Sequence, residues 1–216
     1  MNFGEALTAS NLSYLFEGFL VTLQVAGLAI VFSFITGIIL AVIRYAKIPV
    51  LSQLVAVWVD TIRNLPLLLI LFFIYFALPE VGIDMSVITA AVVGLTVFEG
   101  ALISEIVRSG LNSIDKGQIE AARSSGLSYT RTLWHIILPQ ALRRMVPPTV
   151  SQFIALLKDT SLAVVITLPE LMHHARILYG GQSNIVIEVL FIVAMMYFIV
   201  NYTLSLIARR FEAKYV

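Results

Sequence analysis

The residues best placed to do chemistry in this chain stand inside hydrophobic runs, where a charge is costly and is kept by contact with protein or a water-filled cavity. Lys158, Asp159, Thr160 and Ser161 are consecutive within such a run. The Lys158 ammonium could hold a carboxylate, and Asp159, Thr160 and Ser161 could take an ammonium or a polar side chain. Four successive helical positions point in different directions, however, and cannot all line one cavity. An internal Lys158–Asp159 ion pair, or Lys158 reaching outward to the membrane surface, accounts for the same residues without a ligand. Glu99 stands in the middle of another run; it could bind a cation or, as a protonated acid, cap a neighbouring helix. Asp60 and Arg63 are three apart, a spacing that allows a pair on one helix face, and read either as a structural or gating pair or as a solute contact. Tyr75 and Gln152 are further pore-lining candidates.

The elements that must carry these groups are membrane helices. Hydrophobic residues make up 59% of the 216 and charged residues 12%, and the mean hydropathy of +0.95 is far from a soluble balance. Runs of about twenty apolar residues suffice to span the bilayer, and internal pairing of the backbone there favours helices. Five spans are expected, at about 18–43, 55–78, 86–107, 146–168 and 185–208. Pro66, near the start of the second, removes a helical hydrogen bond and predicts a kink. The absence of cysteine excludes disulfides and thiolate chemistry.

Charge placement predicts the orientation. Arg44, Lys47, Arg63, the six basic residues of the long polar loop, and Arg209, Arg210 and Lys214 all fall on one side. Glu5, Glu17, Glu80, Asp84 and Glu170 fall on the other, with Arg176 the lone basic residue there. The positive-inside rule then puts the N-terminus outside and the C-terminus in the cytosol. The first span is too long, and its flank too acidic, for a cleaved signal. The residues before it suit a short interfacial helix or a frayed end.

The whole chain reads as one transmembrane domain, 1–216, with a polar cytosolic excursion at 109–145. Asp115 to Ser125 can form a short helix that Gly126 ends, and Ser128 can cap a second one running toward Pro139. Ala121 and Ala122 offer a small surface for close approach, and Glu120 an acceptor for a basic partner. An ordinary polar connector remains the bland alternative. His173 and His174 diverge on a helix and have no third ligand at metal spacing. Gly180-Gly181 follows no strand and is no nucleotide fingerprint.

Glu120-Ala121-Ala122, Gly126 four positions later, then Ile136, Leu138 and Pro139 resemble the coupling-loop signature of bacterial ABC importer permeases. Arg63-Asn64-Leu65-Pro66, Ser104-Glu105-Ile106-Val107-Arg108, Lys116-Gly117-Gln118 and Leu157-Lys158-Asp159-Thr160-Ser161 resemble the branch that carries polar amino acids. The resemblance implies an all-α membrane protein with the type I importer permease fold and five transmembrane helices, in the bacterial inner membrane. It implies a pair of permeases, a dimer of ATP-binding subunits that uses ATP and Mg, and an extracytoplasmic solute-binding protein, with no nucleic-acid partner. In that setting Glu120, Ala121, Ala122, Arg123, Gly126 and Arg131 would dock on the ATPase. Lys158 would take the α-carboxylate of an amino acid. Phe98-Glu99 is similar to a pair in some acidic amino acid permeases, which leans toward glutamine or glutamate. The chain itself carries no Gly-rich phosphate loop, so it is expected to bind no cofactor and to be no enzyme. An ion-coupled carrier, using Lys158, Asp159 and Glu99, is the alternative, weakened by the lack of a second inverted repeat.

Overall fold

The computed structural model describes residues 3–181 and 183–215, and for 183 and 211–215 the backbone alone. All regular structure among them is helical. A short α1 (Phe3–Ala6) leads through the Thr8 cap, whose hydroxyl accepts from the Asn11 amide, into α2 (Ala9–Tyr45). Then come α3 (Leu51–Asn64), α4 (Leu67–Phe72), α5 (Val87–Asn112), α6 (Lys116–Ser124), α7 (Tyr129–Thr132), α8 (Leu138–Asp159), α9 (Leu171–Gly181) and α10 (Val186–Tyr215). Among the described residues, four helical runs are long and apolar enough to cross a membrane: Ala9–Tyr45, Val87–Asn112, Tyr129–Ile166 and Val186–Arg210.

The second expected span is not one rod. Leu51–Asn64 and Leu67–Val81 meet at 106° and make a fifth span only as a bent pair. Leu65, held extended (φ −91°, ψ 145°) as a residue before proline prefers, is the break. Asp60, Arg63 and Asn64 therefore belong to a separate helix lying across the bend. The fourth span is longer than expected. Pro139 does not halt the helix, because the turn before it widens to i→i−5 pairing over Leu133–Ile137. A matching π turn, Phe73–Ala77, precedes Pro79. In both places the wider turn accommodates a ring that supplies no N–H and crowds the preceding turn.

The centre of the fold is the α2–α5 pair. Small residues let it close: a Cβ on Gly37 would stand 2.7 Å from Ile103 Cγ2 and 3.0 Å from the Gly100 carbonyl oxygen. Membrane helices associate by this kind of close approach rather than by a hydrophobic drive. One apolar core joins α2, α4, α5 and the end of α8 through Leu71, Leu95, Leu156 and Ile166. A second seats α9 between α2 and α10. A third, with Ile103, Leu111, Ile137 and Met145, anchors the polar loop onto α5 and α8. α10 is scarcely covered, only 6% of its most apolar window being buried; its free face is available to lipid or another subunit.

Candidate functional site

A polar cavity of about 460 Å³ lies between α3, α5 and α8, bordered by Arg63, Glu105, Ser109, Ser113, Arg144 and Gln152. Arg144, Pro148 and Gln152 recur every four residues, so a single face of α8 supplies them. Gln152 also donates from Nε2 to Glu99 Oε2 at 2.8 Å. Glu99 is fully buried, and its Oε1 has no hydrogen-bond partner. An orphaned carboxylate oxygen at bilayer depth is an unusual expense. It stands one side chain behind a water-accessible space. Glu99 thus caps no neighbouring helix; its partner is the amide of Gln152.

Seven residues beyond Gln152, two turns along the same face, comes Asp159, half-buried. The other members of the Lys158–Ser161 cluster part company, as helical geometry requires. The Thr160 hydroxyl is buried and donates to the Leu157 carbonyl at 2.7 Å, while Ser161 donates to the Lys158 carbonyl at 2.7 Å. Both hydroxyls are occupied by backbone as α8 tightens into the 3₁₀ turn Thr160–Ile166. Lys158 is exposed, and no ion pair to Asp159 forms among the described residues. Tyr75 lies in the π turn, edge-on to Phe76 with 4.9 Å between centroids, and packs on the central core rather than bordering the polar cavity.

The Asp60–Arg63 pair is the weaker of the two ion pairs Arg63 makes. Its guanidinium is 4.0 Å from Asp60 and 3.5 Å from Glu105. Glu105 is the hub. It also accepts from Arg44 at 2.9 Å and from Arg108, whose Nε lies at 3.2 Å. One carboxylate thereby ties α2, α3 and α5 together at one end of the bundle. Sequence reasoning missed this convergence. The available signal was three arginines at the ends of three spans with one acid, Glu105, able to reach them all.

On the other side of the fold Glu170, fully buried, caps α9. Its Oε2 accepts from the Met172 amide and the Tyr197 hydroxyl, and its Oε1 from the His173 amide. Thr22 on α2 accepts from the Leu171 amide at 3.2 Å. Burial outweighs these donors and pushes Glu170 up to about 7. His174 stacks on Tyr14 at 4.1 Å and contacts its carbonyl oxygen, so it binds α9 to α2 instead of facing a ligand. Glu170 was read only as an outer-flank charge, because its side-chain partner Tyr197 comes from α10, far away in sequence.

The polar loop is a shaped elbow. Asp115 caps α6, its Oδ1 accepting from the Gly117 amide at 2.7 Å. At the far end Gly126 adopts φ +85°, the Leu127 amide donates back to the Ala122 carbonyl, and the Gly126 amide to Arg123. Those two bonds form a Schellman cap. Arg123 closes the elbow by donating to the Leu127 carbonyl at 2.9 Å. Ser128 caps α7 by accepting from the Arg131 amide. Glu120, Ala121, Arg123 and Arg131 are exposed, whereas Ala122 turns inward. Of the two alanines only Ala121 lies on the outer face. Trp134 nearby is 64% exposed, an apolar surface that sequence reasoning did not single out.

Residues 33–216 match the family described as the inner membrane component of binding-protein-dependent transport systems. The chain belongs to this family. It is a permease component of an ABC importer, and ATP hydrolysis resides in a separate subunit. This permease is 62% identical over 216 residues, 99% of each chain, to the probable glutamine ABC transporter permease protein GlnP of Bacillus subtilis. It is 37% identical over 202 residues to the glutamine transport system permease protein GlnP of Escherichia coli, covering 93% of this chain and 92% of that one. A crystal structure of an amino acid ABC transporter with histidines superposes with a TM-score of 0.90 at 29% identity, over 95% of both chains. The inward-facing MetNI methionine transporter shares the fold, with a TM-score of 0.74 at 23% identity over 94% of this chain and 99% of that one. The permease fold is thus of the type I importer kind, and the ion-coupled carrier finds no counterpart in these relatives.

Proposed function

We propose that this permease passes a polar amino acid, glutamine or glutamate, from an external binding protein to the cytosol through a path it forms with a second permease. The 62% identity to a probable glutamine permease, spread over 99% of both chains, carries the substrate class. The geometry supports a path beside α8. Glu99, Gln152 and Asp159 supply carboxylate and amide groups that suit an ammonium and a polar side chain, and Arg63 and Arg144 border the cavity toward the end where the basic flanks gather. Lys158, exposed on α8, would meet the α-carboxylate at the face turned to the partner permease.

The charge asymmetry of the flanks supports an N-terminus outside and a C-terminus, with the elbow of residues 109–145, in the cytosol. Glu120, Ala121, Arg123 and Arg131 on the exposed face of that elbow are the groups we assign to docking on the ATP-binding subunit. Ala122 and Gly126 shape it. The test is co-purification of the subunits from the native membrane, followed by reconstitution with the binding protein and assay of ATP-dependent uptake. Glutamine or glutamate should be accumulated and should compete with each other. Uptake of neither, with another amino acid accumulated, would overturn the substrate assignment.

A further inference from the structure

α8 carries a second, opposite face that solute transport does not use. Around the helix from Arg144, Pro148 and Gln152, the residues Leu142, Val146 and Phe153 border an apolar groove of about 410 Å³, closed by Phe34, Ile38 and Val42 of α2. That volume falls within the range of small-ligand sites, roughly 300–1,000 Å³. The groove is lined by residues of three spans and therefore opens at hydrocarbon depth. One turn beyond Val42, and one residue beyond Leu111 of α5, a second cavity of about 490 Å³ is bordered by Tyr45, Lys47, Asn112 and Tyr129. Lys47 is exposed and makes no ion pair among the described residues.

An apolar trough one helical turn from a cationic, donor-rich pocket has the two-part chemistry of a phospholipid. We propose that this seam between α2 and α8 binds an anionic glycerophospholipid of the cytosolic leaflet, one acyl chain along Phe34, Ile38, Val42 and Val146 and the phosphate at Lys47. The Asn112 amide and the two phenols supply hydrogen-bond donors to the headgroup oxygens. Charge complementarity selects lipid over a helix from a second permease. The cytosolic leaflet is negatively charged, and basic pockets between spans on that side collect anionic headgroups. A packed helix would leave Lys47 and the phenols with nothing to bind. The face of α8 that borders the polar cavity, moreover, points the other way.

The inference rests on the orientation proposed above, which puts Lys47 at the cytosolic surface. The assembled transporter, with its ATP-binding subunit, is placed in nanodiscs of phosphatidylcholine containing a minor share of phosphatidylglycerol, and retained lipid is counted by native mass spectrometry. Phosphatidylglycerol should be retained by the parent complex. Retention should fall about fivefold in Lys47→Ala and about thirtyfold in Lys47→Glu, one and two charge steps at a membrane surface. Val146→Trp, which fills the trough without touching the charge, should lower it as well. Lys47 is exposed, so its variants test the site even if the tryptophan variant does not assemble. Equal retention by parent and Lys47 variants means an unselective lipid shell and overturns the site. So does a disulfide between two permeases through Val146→Cys, in a chain with no other cysteine. Orientation is read separately: Lys47→Cys labelled by a membrane-impermeant maleimide in intact cells would refute the topology. Labelling only after the membrane is opened, with unselective lipid retention, would refute the lipid site alone.

Discussion

Replacing Gly126 by alanine isolates what the elbow of the polar loop costs and what it does. Gly126 sits at φ +85°, and a Cβ built there would meet nothing within 4 Å. The substitution therefore adds no clash and removes no contact; it acts on the backbone alone. Holding an alanine in the left-handed region costs roughly 1–2 kcal/mol, a factor of about 5–30 in the population of the capped conformation. The Leu127 amide, bonded to the Ala122 carbonyl at 3.1 Å, reports that population directly. In the assembled transporter, its hydrogen exchange should speed up about 5–30-fold in Gly126→Ala, with α2 and α5 unchanged. Gly126→Asn should fall between, because asparagine tolerates this region. Solute-stimulated ATP hydrolysis should follow the same order, Gly above Asn above Ala, while solute binding to the external protein stays constant. Unchanged Leu127 exchange in the alanine variant would refute the strain argument. Faster exchange with undiminished stimulated hydrolysis would refute the assignment of the elbow to coupling.

Three further outcomes are expected. Gln152→Leu takes the last hydrogen bond from the buried Glu99 carboxylate; an unsatisfied buried group costs about 1–3 kcal/mol, so the melting temperature should drop by roughly 2–12 °C, and an unchanged melt would show that water replaces the amide. Lys158→Ala should weaken uptake of every accepted amino acid by about 10–150-fold if its ammonium pairs with the shared α-carboxylate, the range for a hydrogen bond to a charged group; loss confined to one amino acid would exclude that role. Glu170, raised to about 7 from an ordinary glutamate value of about 4.3, holds its proton more tightly in the folded state. Its contribution is complete below about pH 4 and is lost as pH rises to about 7, so thermal stability should decline across that window and then level. Glu170→Gln should flatten the decline, and an identical pH profile in the variant would place the titration elsewhere.

The parts of this fold that rest on local rules were legible in the sequence. Gly126, Ser128 and the helix ending near Ser125 follow from capping chemistry between residues a few positions apart, and the structure places all three as expected. Four of the five hydrophobic runs became single helical spans for the same reason: twenty apolar residues carry their own instruction. The departures are where distant elements meet. Pro66 signalled a kink, but its size, 106°, is set by what α3 finds to pack and pair with across the bundle. Asp60 looked like the partner of Arg63 because it is three residues away, and Glu105, 42 positions later, proved closer. Glu170 accepts from Tyr197 and the neighbouring Leu171 amide donates to Thr22, residues on two other helices, and no spacing rule links them. Pro139 was read as a stop because a proline interior to an α-helix is one. The π turn before it is a way around that rule which composition does not display.

That π turn bears on how the elbow and the polar cavity communicate. From Tyr129 to Ile166 the chain is one helical run. Ser128, which caps its start, is two residues from Gly126, and Gln152, which donates to Glu99, lies just beyond its midpoint. The 24 residues from Tyr129 to Gln152 make a rod of about 35 Å at 1.5 Å per step. A displacement of the elbow thus reaches the cavity along a single element, without crossing a loop. The rod can yield at only a few places along that length: the widened turn at Leu133–Ile137, and Pro147 and Pro148, which leave two carbonyls without helical donors. The widened turn lies between elbow and cavity, and the two prolines lie at the cavity, one turn before Gln152. The Glu105 cluster holds the other walls still, because Arg44, Arg63 and Arg108 fix α2, α3 and α5 to one carboxylate. Movement of α8 against that fixed wall changes the distance between Gln152 and Glu99. Pulling the elbow would therefore open or close the passage beside the one buried carboxylate oxygen among the described residues left without a partner.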